Sequence, residues 1–204
     1  MKEKIVLKSA RPDEYPDLVV ECRVIPEGGI TEYLESLEST TVVQAFKTGV
    51  VQARVGEEGE KVVTTLKTVV DGRTYILSEE DNVVKRREMK TPDGETVLAN
   101  DVVVTNVSST SNEQYVVRAE KFRDTYTPVE GVEGAYEPVP EVRTLTQVPE
   151  NVIFLTSWGA PAVCLAGSYI VAYNAAKDDY NTIEAGAFES TYQVVSSKQK
   201  VKKI

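Results

Sequence analysis

The chain has no histidine among its 204 residues. That absence removes the side chain best suited to acid–base work near neutral pH and the commonest transition-metal ligand. It also rules out the Ser-His-Asp and Cys-His triads. Cysteine is almost as scarce, with only Cys22 and Cys164, far apart and not in a Cys-x-x-Cys pair. Two cysteines cannot build a disulfide framework or a four-cysteine zinc site, and both read as buried apolar thiols in a reducing compartment. No Gly-x-Gly-x-x-Gly fingerprint is present, and RVGEEGEK (54–61) lacks the Gly-Lys-Ser/Thr ending of a phosphate loop. It reads instead as the loop of a hairpin. The acids of DNVVKRREMKTPDGE (81–95) have the wrong spacing for an EF-hand. MKEKIVLKSARPDEYP, at the start, holds no apolar run of signal-peptide length, which points to a cytoplasmic protein.

What is present is β-rich. Valine and threonine are abundant, and ten tyrosines outnumber four phenylalanines. The net charge of −9 is unevenly spread: −6 over 1–82, zero over 83–129, −4 over 130–150 and +1 over 151–204. Acidity of this kind disfavours nucleic acid and anionic membranes as partners, because phosphates require a basic footprint. The basic ending KQKVKK (198–203) reads as a solvated, frayed tail.

Residues 151–176 contain no charge and are long enough to span a bilayer. An internal similarity argues against that. FRDTYTPV (122–129) recurs as FESTYQVV (188–195), and the match extends backwards. Residues 116–129 lie over 182–195, and LANDVVVTN (98–106) lies over LAGSYIVAY (165–173), while 90–97 lies over 156–163 only loosely. The first copy carries Lys90, Asp93, Glu95 and Asp101 where the second is uncharged, so two copies of one fold would both lie outside a bilayer. The repeated unit is about 45 residues, a usual size for structural repeats.

The expected fold is mainly β within the α+β class, with two related small β-rich units, each bearing a short helix. A small SH3-like barrel is one such arrangement. The expected organisation is a β-rich segment with one helix over 1–82, repeat unit 1 over 83–129 and an acidic Pro/Gly linker over 130–149. Repeat unit 2 follows over 150–197, then the basic tail over 198–204. In the front segment, 17–25 reads as a strand, Thr31 as the N-cap of a helix bearing Leu34 and Leu37, and DGRT (71–74) as a tight turn.

Phe122 and Tyr126, like Phe188 and Tyr192, are four residues apart and share one face of a helix. With Thr125 and Thr191 they read as structural anchors of the two copies. Trp158, the only tryptophan, stands before Gly159 in a turn-like setting and reads as partly buried packing or, alternatively, as a contact for a partner. Glu79-Glu80-Asp81 and Asp178-Asp179 read as solvated turn residues. No catalytic, cofactor-binding or metal-binding residue is assigned.

The closing Phe-x-x-Thr-Tyr phrases, together with LAGSYIVAYN (165–174), resemble a PGDYG-like module of phage and prophage proteins with a Gly-Asp-aromatic turn. Gly167-Ser168-Tyr169 keeps the glycine and the aromatic but loses the acid, whereas Asn100-Asp101-Val102 keeps only the acid. The resemblance implies a phage or prophage origin, and with it the host bacterial cytoplasm, but no chemistry. The expected function is therefore an accessory protein that acts by protein–protein interaction without catalysis or cofactor. A small-ligand-binding domain and a minor virion component are the alternatives.

Overall fold

A computed structural model describes residues 1–107, 112–174 and 179–199. Strands dominate, and the three helices among these residues are seven residues each. The first sheet has the order β15-β14-β2-β1-β6-β5, comprising β1 (Lys2–Ser9), β2 (Leu18–Val24), β5 (Lys61–Val70), β6 (Arg73–Val83), β14 (Val152–Leu155) and β15 (Pro161–Cys164). Its β14–β2 pairing is parallel. Alternation along β1 follows the strand period of two: Leu7 and Ser9 are buried, Val6 and Lys8 exposed. Asp71 and Gly72, both at positive φ (49° and 75°), form the expected tight turn between β5 and β6.

The chain divides into two compact units, neither of them a continuous stretch. One comprises 1–47, 67–78 and 141–204, the other 48–66 and 79–140. This differs from a division into consecutive segments. The expected linker 130–149 holds two strands, β12 (Ala135–Pro138) in the second unit and β13 (Arg143–Gln147) in the first. Only Glu137 and Pro138 among the acids and prolines there are strand residues; the others lie in the segments flanking the two strands.

Each unit holds an antiparallel five-stranded sheet. In the second unit the order is β10-β9-β4-β12-β11, with β4 (Val51–Val55), β9 (Val102–Thr105), β10 (Gln114–Val117) and β11 (Tyr126–Pro128). In the first it is β17-β16-β13-β3-β18, with β3 (Thr41–Lys47), β16 (Tyr169–Asn174), β17 (Asp179–Ile183) and β18 (Tyr192–Gln199). Both are open sheets with two edges. A two-stranded ribbon, β7 (Arg86–Lys90) with β8 (Thr96–Asn100), completes the second unit.

The helix expected from Thr31 spans Ile30–Ser36 (α1), and its N-cap is Gly29, two residues earlier than expected. Thr31 sits inside the first turn and its hydroxyl meets that of Tyr180 at 2.8 Å. RVGEEGEK is not a hairpin loop: β4 pairs with β9 and β12, whereas β5 belongs to the six-stranded sheet. An Arg54–Glu60 ion pair closes this turn between sheets and holds the Glu60 carboxyl down at about 2. Glu79, Glu80 and Asp81 are strand residues of β6, not turn residues. Asp178 lies outside the described residues. Of the basic tail, Lys198 and Gln199 end β18, and 200–204 lie outside the described residues. The uncharged stretch forms β14, β15 and β16. Among the described residues no helix is long and apolar enough to cross a membrane.

Candidate functional site

The two Phe-x-x-Thr-Tyr phrases adopt the same local structure. Helix α2 (Ala119–Thr125) and helix α3 (Ala185–Thr191) each follow an extended N-cap residue, Arg118 and Glu184. Each helix closes with the backbone N–H of its tyrosine, Tyr126 or Tyr192, donating to the phenylalanine carbonyl four residues back. The threonine hydroxyl donates to the carbonyl four residues back as well: Thr125 to Lys121 (2.7 Å) and Thr191 to Ala187 (2.6 Å). Those bonds use the proton of each hydroxyl within the helix.

Phe122 and Phe188 are buried. Phe122 stacks on Tyr126 (centroids 4.9 Å apart) and meets the ring of Tyr136 edge-on at 4.9 Å. Phe188 stacks on Tyr169 (4.1 Å) and on Tyr192 (5.6 Å). The strand beneath each ring is covered on both faces, which is why it reads as an apolar run rather than an alternation. In β9, Val102 and Val104 pack with Phe122, and Val103 packs with Val62 and Val84. In β16, Val171 and Tyr169 pack with Phe188, and Ile170 packs with Phe154 and Cys164. Cys22 and Cys164 are free and buried, and burial pushes the Cys164 thiol up to about 12. A thiolate nucleophile is thereby disfavoured at either position.

Each unit also contains a cleft of about 330 Å³. In the second unit its lining includes Asp81, Lys85, Arg87, Asp101, Val116 and Arg118. Asp101 is buried, accepts from the Lys85 backbone N–H (3.0 Å) and pairs with Arg87 Nε (3.3 Å). Gly56 supports this corner: its N–H donates to the Asp101 carbonyl (2.9 Å) and its carbonyl accepts from Asn100 Nδ2 (2.9 Å). In the first unit the lining includes Thr68, Asp71, Asn151, Ser168, Glu184 and Ala185. Glu184 Oε2 accepts from the Ala187 N–H (2.9 Å) and so caps α3.

The turn between β14 and β15 presents Trp158. Thr156 organises it: its N–H and hydroxyl both donate to the Ala160 carbonyl (2.9 Å each), and its hydroxyl accepts from the Ala160 N–H (3.1 Å). Gly159 takes φ +82°, which glycine adopts without strain. Ser157 Oγ donates to Asp179 Oδ1 (2.8 Å). Trp158 is 53% exposed and flanked by exposed Leu155 and Pro161, a half-buried position that agrees with both partial packing and contact with a partner. Its degree of exposure was not legible because no charge in the surrounding sequence marks a solvent-facing position.

Sequence reasoning passed over Lys85, Arg87 and Arg118. The basic run KRR (85–87) is a local signal for the first two, whereas Arg118 stands apart from it in sequence. Among the described residues no three Asp, Glu or Cys side chains gather as a cation site. Comparison with protein-family models, curated proteins and solved structures gives no match.

Proposed function

We propose that this is a phage- or prophage-encoded accessory protein that acts by protein–protein contact, without catalysis, in the host bacterial cytoplasm. The observation that carries the contact reading is the hydrogen-bonded β14–β15 turn with exposed Leu155, Trp158 and Pro161. A tryptophan held half in water by a fixed turn is available to fill an apolar pocket of a partner at little entropic cost. The origin rests on the resemblance of the Phe-x-x-Thr-Tyr phrases to the phage module. In the same reading, the two five-stranded sheets are diverged copies of one module, supported by their matching strand order and helix position.

Trp158 is the sole tryptophan and therefore reports on itself. The tagged chain, taken through nuclease-treated host lysate, is expected to retain one protein in near-equal amount. In the eluted complex, tryptophan emission should be blue-shifted relative to the partner-free chain and acrylamide quenching reduced. A retained partner with Trp158 as quenchable as in the free chain, measured with 5-fluorotryptophan and fluorine NMR where the partner has its own tryptophans, would remove Trp158 from the contact. Recovery of the bait alone would overturn the interaction reading.

A further inference from the structure

The geometry points to an anion site in the second unit: we infer that the cleft at Lys85, Arg87 and Arg118 binds the phosphoryl group of a small phosphate monoester. The inference is independent of the protein-contact reading, since it concerns neither Trp158 nor its turn. Chain topology brings the three cations together. Arg86 pairs with Asn100 across β7–β8, so Lys85 lies across from Asp101 one step further on. Val117 pairs with Val102 across β9–β10, so Arg118 lies across from the same Asp101 on the other side. Asp101 is 3% exposed and sits at this junction.

Asp101 spends its charge on protein groups, the Lys85 N–H and Arg87 Nε. That pairing fixes the Arg87 guanidinium in place while engaging only one of its nitrogens. Among the described residues, Lys85 Nζ, the Arg118 guanidinium and the two terminal nitrogens of Arg87 have no protein partner. Three cations around one buried, already compensated carboxylate leave the cleft short of negative charge. Fixed guanidinium donors match a tetrahedral oxyanion better than a hydrated monovalent ion. The cleft holds more than a bare phosphate, and Val83 and Val116 line the remainder with apolar surface. Asp81 also lines it, as an exposed carboxylate that opposes an anion.

The corresponding cleft of the first unit serves as an internal control. Aligning 116–129 with 182–195 and 98–106 with 165–173 places Glu184 where the second unit has Arg118, and Ser168 where it has Asp101. That cleft also carries Asp71 and, among the described residues, no cation lines it. It should not bind the anion, and the stoichiometry should be one per chain.

The test is calorimetric titration of the full chain with inorganic phosphate and with phenyl phosphate, against chloride at matched ionic strength. One saturable site is expected, tighter for phenyl phosphate. Arg118→Ala and Lys85→Ala, both exposed positions, should each weaken it about tenfold, the worth of one charge-assisted hydrogen bond. Asp81→Asn should tighten it. Thermal melts of the variants check that folding is retained. A chloride response equal to that of phosphate, no saturation through the millimolar range, or unchanged affinity in folded Arg118→Ala would overturn the site. Equal affinity for the two phosphates would overturn the monoester and leave a site for the free ion alone.

Discussion

The β9-β10-α2-β11 segment of the second unit and the β16-β17-α3-β18 segment of the first solve the same packing problem with different connections. In both, a hairpin leads into a seven-residue helix and then to the opposite edge of a five-stranded antiparallel sheet. In the second unit the edge strand β11 turns straight back into its neighbour β12. In the first, β18 finds its neighbour in β3, near the other end of the sequence. The common element is the helix that lays a phenylalanine ring over the sheet. What differs is the source of the adjacent strand and the charge at the helix entrance, Arg118 against Glu184. A shared core therefore leaves the rim free to diverge, and the rim is where the two clefts differ.

The largest expected effect comes from removing the shared element. Phe122→Ala and Phe188→Ala should each cost about 3–5 kcal/mol, the range for a large ring deleted from a packed core. Urea unfolding measures this. A cost near zero at one position would show that the two sheets do not depend on the ring alike. Next comes Gly56→Ala, specific to the second unit. A methyl there would meet Val84 Cγ2 at 2.7 Å and Val103 Cγ2 at 3.1 Å. Overpacking of this kind costs about 1–3 kcal/mol, and the shift should also displace Asp101. Weakened phosphate binding in a still-folded Gly56→Ala variant would reveal that displacement.

A smaller effect separates the two helices. Glu184 caps α3, and Arg118 gives α2 no side-chain cap. Glu184→Ala should destabilise by about 0.5–1 kcal/mol, and Arg118→Ser should stabilise by a similar amount. Equal signs in the two melts would contradict the difference. The smallest effect is in pH. Burial raises both the Cys164 thiol and the Tyr33 hydroxyl to about 12. The folded state favours their neutral forms, so above about pH 9 the unfolded state binds fewer protons. Their contribution is complete below that pH and is lost as pH rises towards 12. Urea midpoints should fall over this window, and fall less in Tyr33→Phe. That substitution also removes a buried hydroxyl with no hydrogen-bond partner among the described residues and should otherwise be neutral or slightly stabilising.

The legible parts of the chain were those decided locally. Alternation in β1, the Asp71-Gly72 turn, and the four-residue spacing of Phe122 with Tyr126 and of Phe188 with Tyr192 each depend on neighbours in sequence. The mainly β class follows from composition for the same reason. Pairing between distant segments was not legible. Nothing in TTVVQAF (40–46) announces that β3 pairs with β13 and β18, and nothing in RVGEEGEK indicates that the strands on either side belong to different sheets. Acids and prolines over 130–149 suited a linker, and the short β12 and β13 between them carry no local signal strong enough to stand out. At the candidate sites, Trp158 was visible as a residue but not as an exposed one. The Lys85, Arg87 and Arg118 cluster required the register of two separate ladders to assemble.

We propose contact with a protein partner through the Trp158 turn. Its most direct test is a quantitative mass-spectrometric pull-down from nuclease-treated host lysate. It would run the wild-type chain beside Trp158→Ala, with Arg118→Ala as a folded surface control. One host protein recovered near-equally by wild type and Arg118→Ala, and lost from a Trp158→Ala variant with an unchanged melt, is the predicted result. Equal recovery by all three chains would contradict the role of Trp158, and recovery by none would contradict the interaction itself.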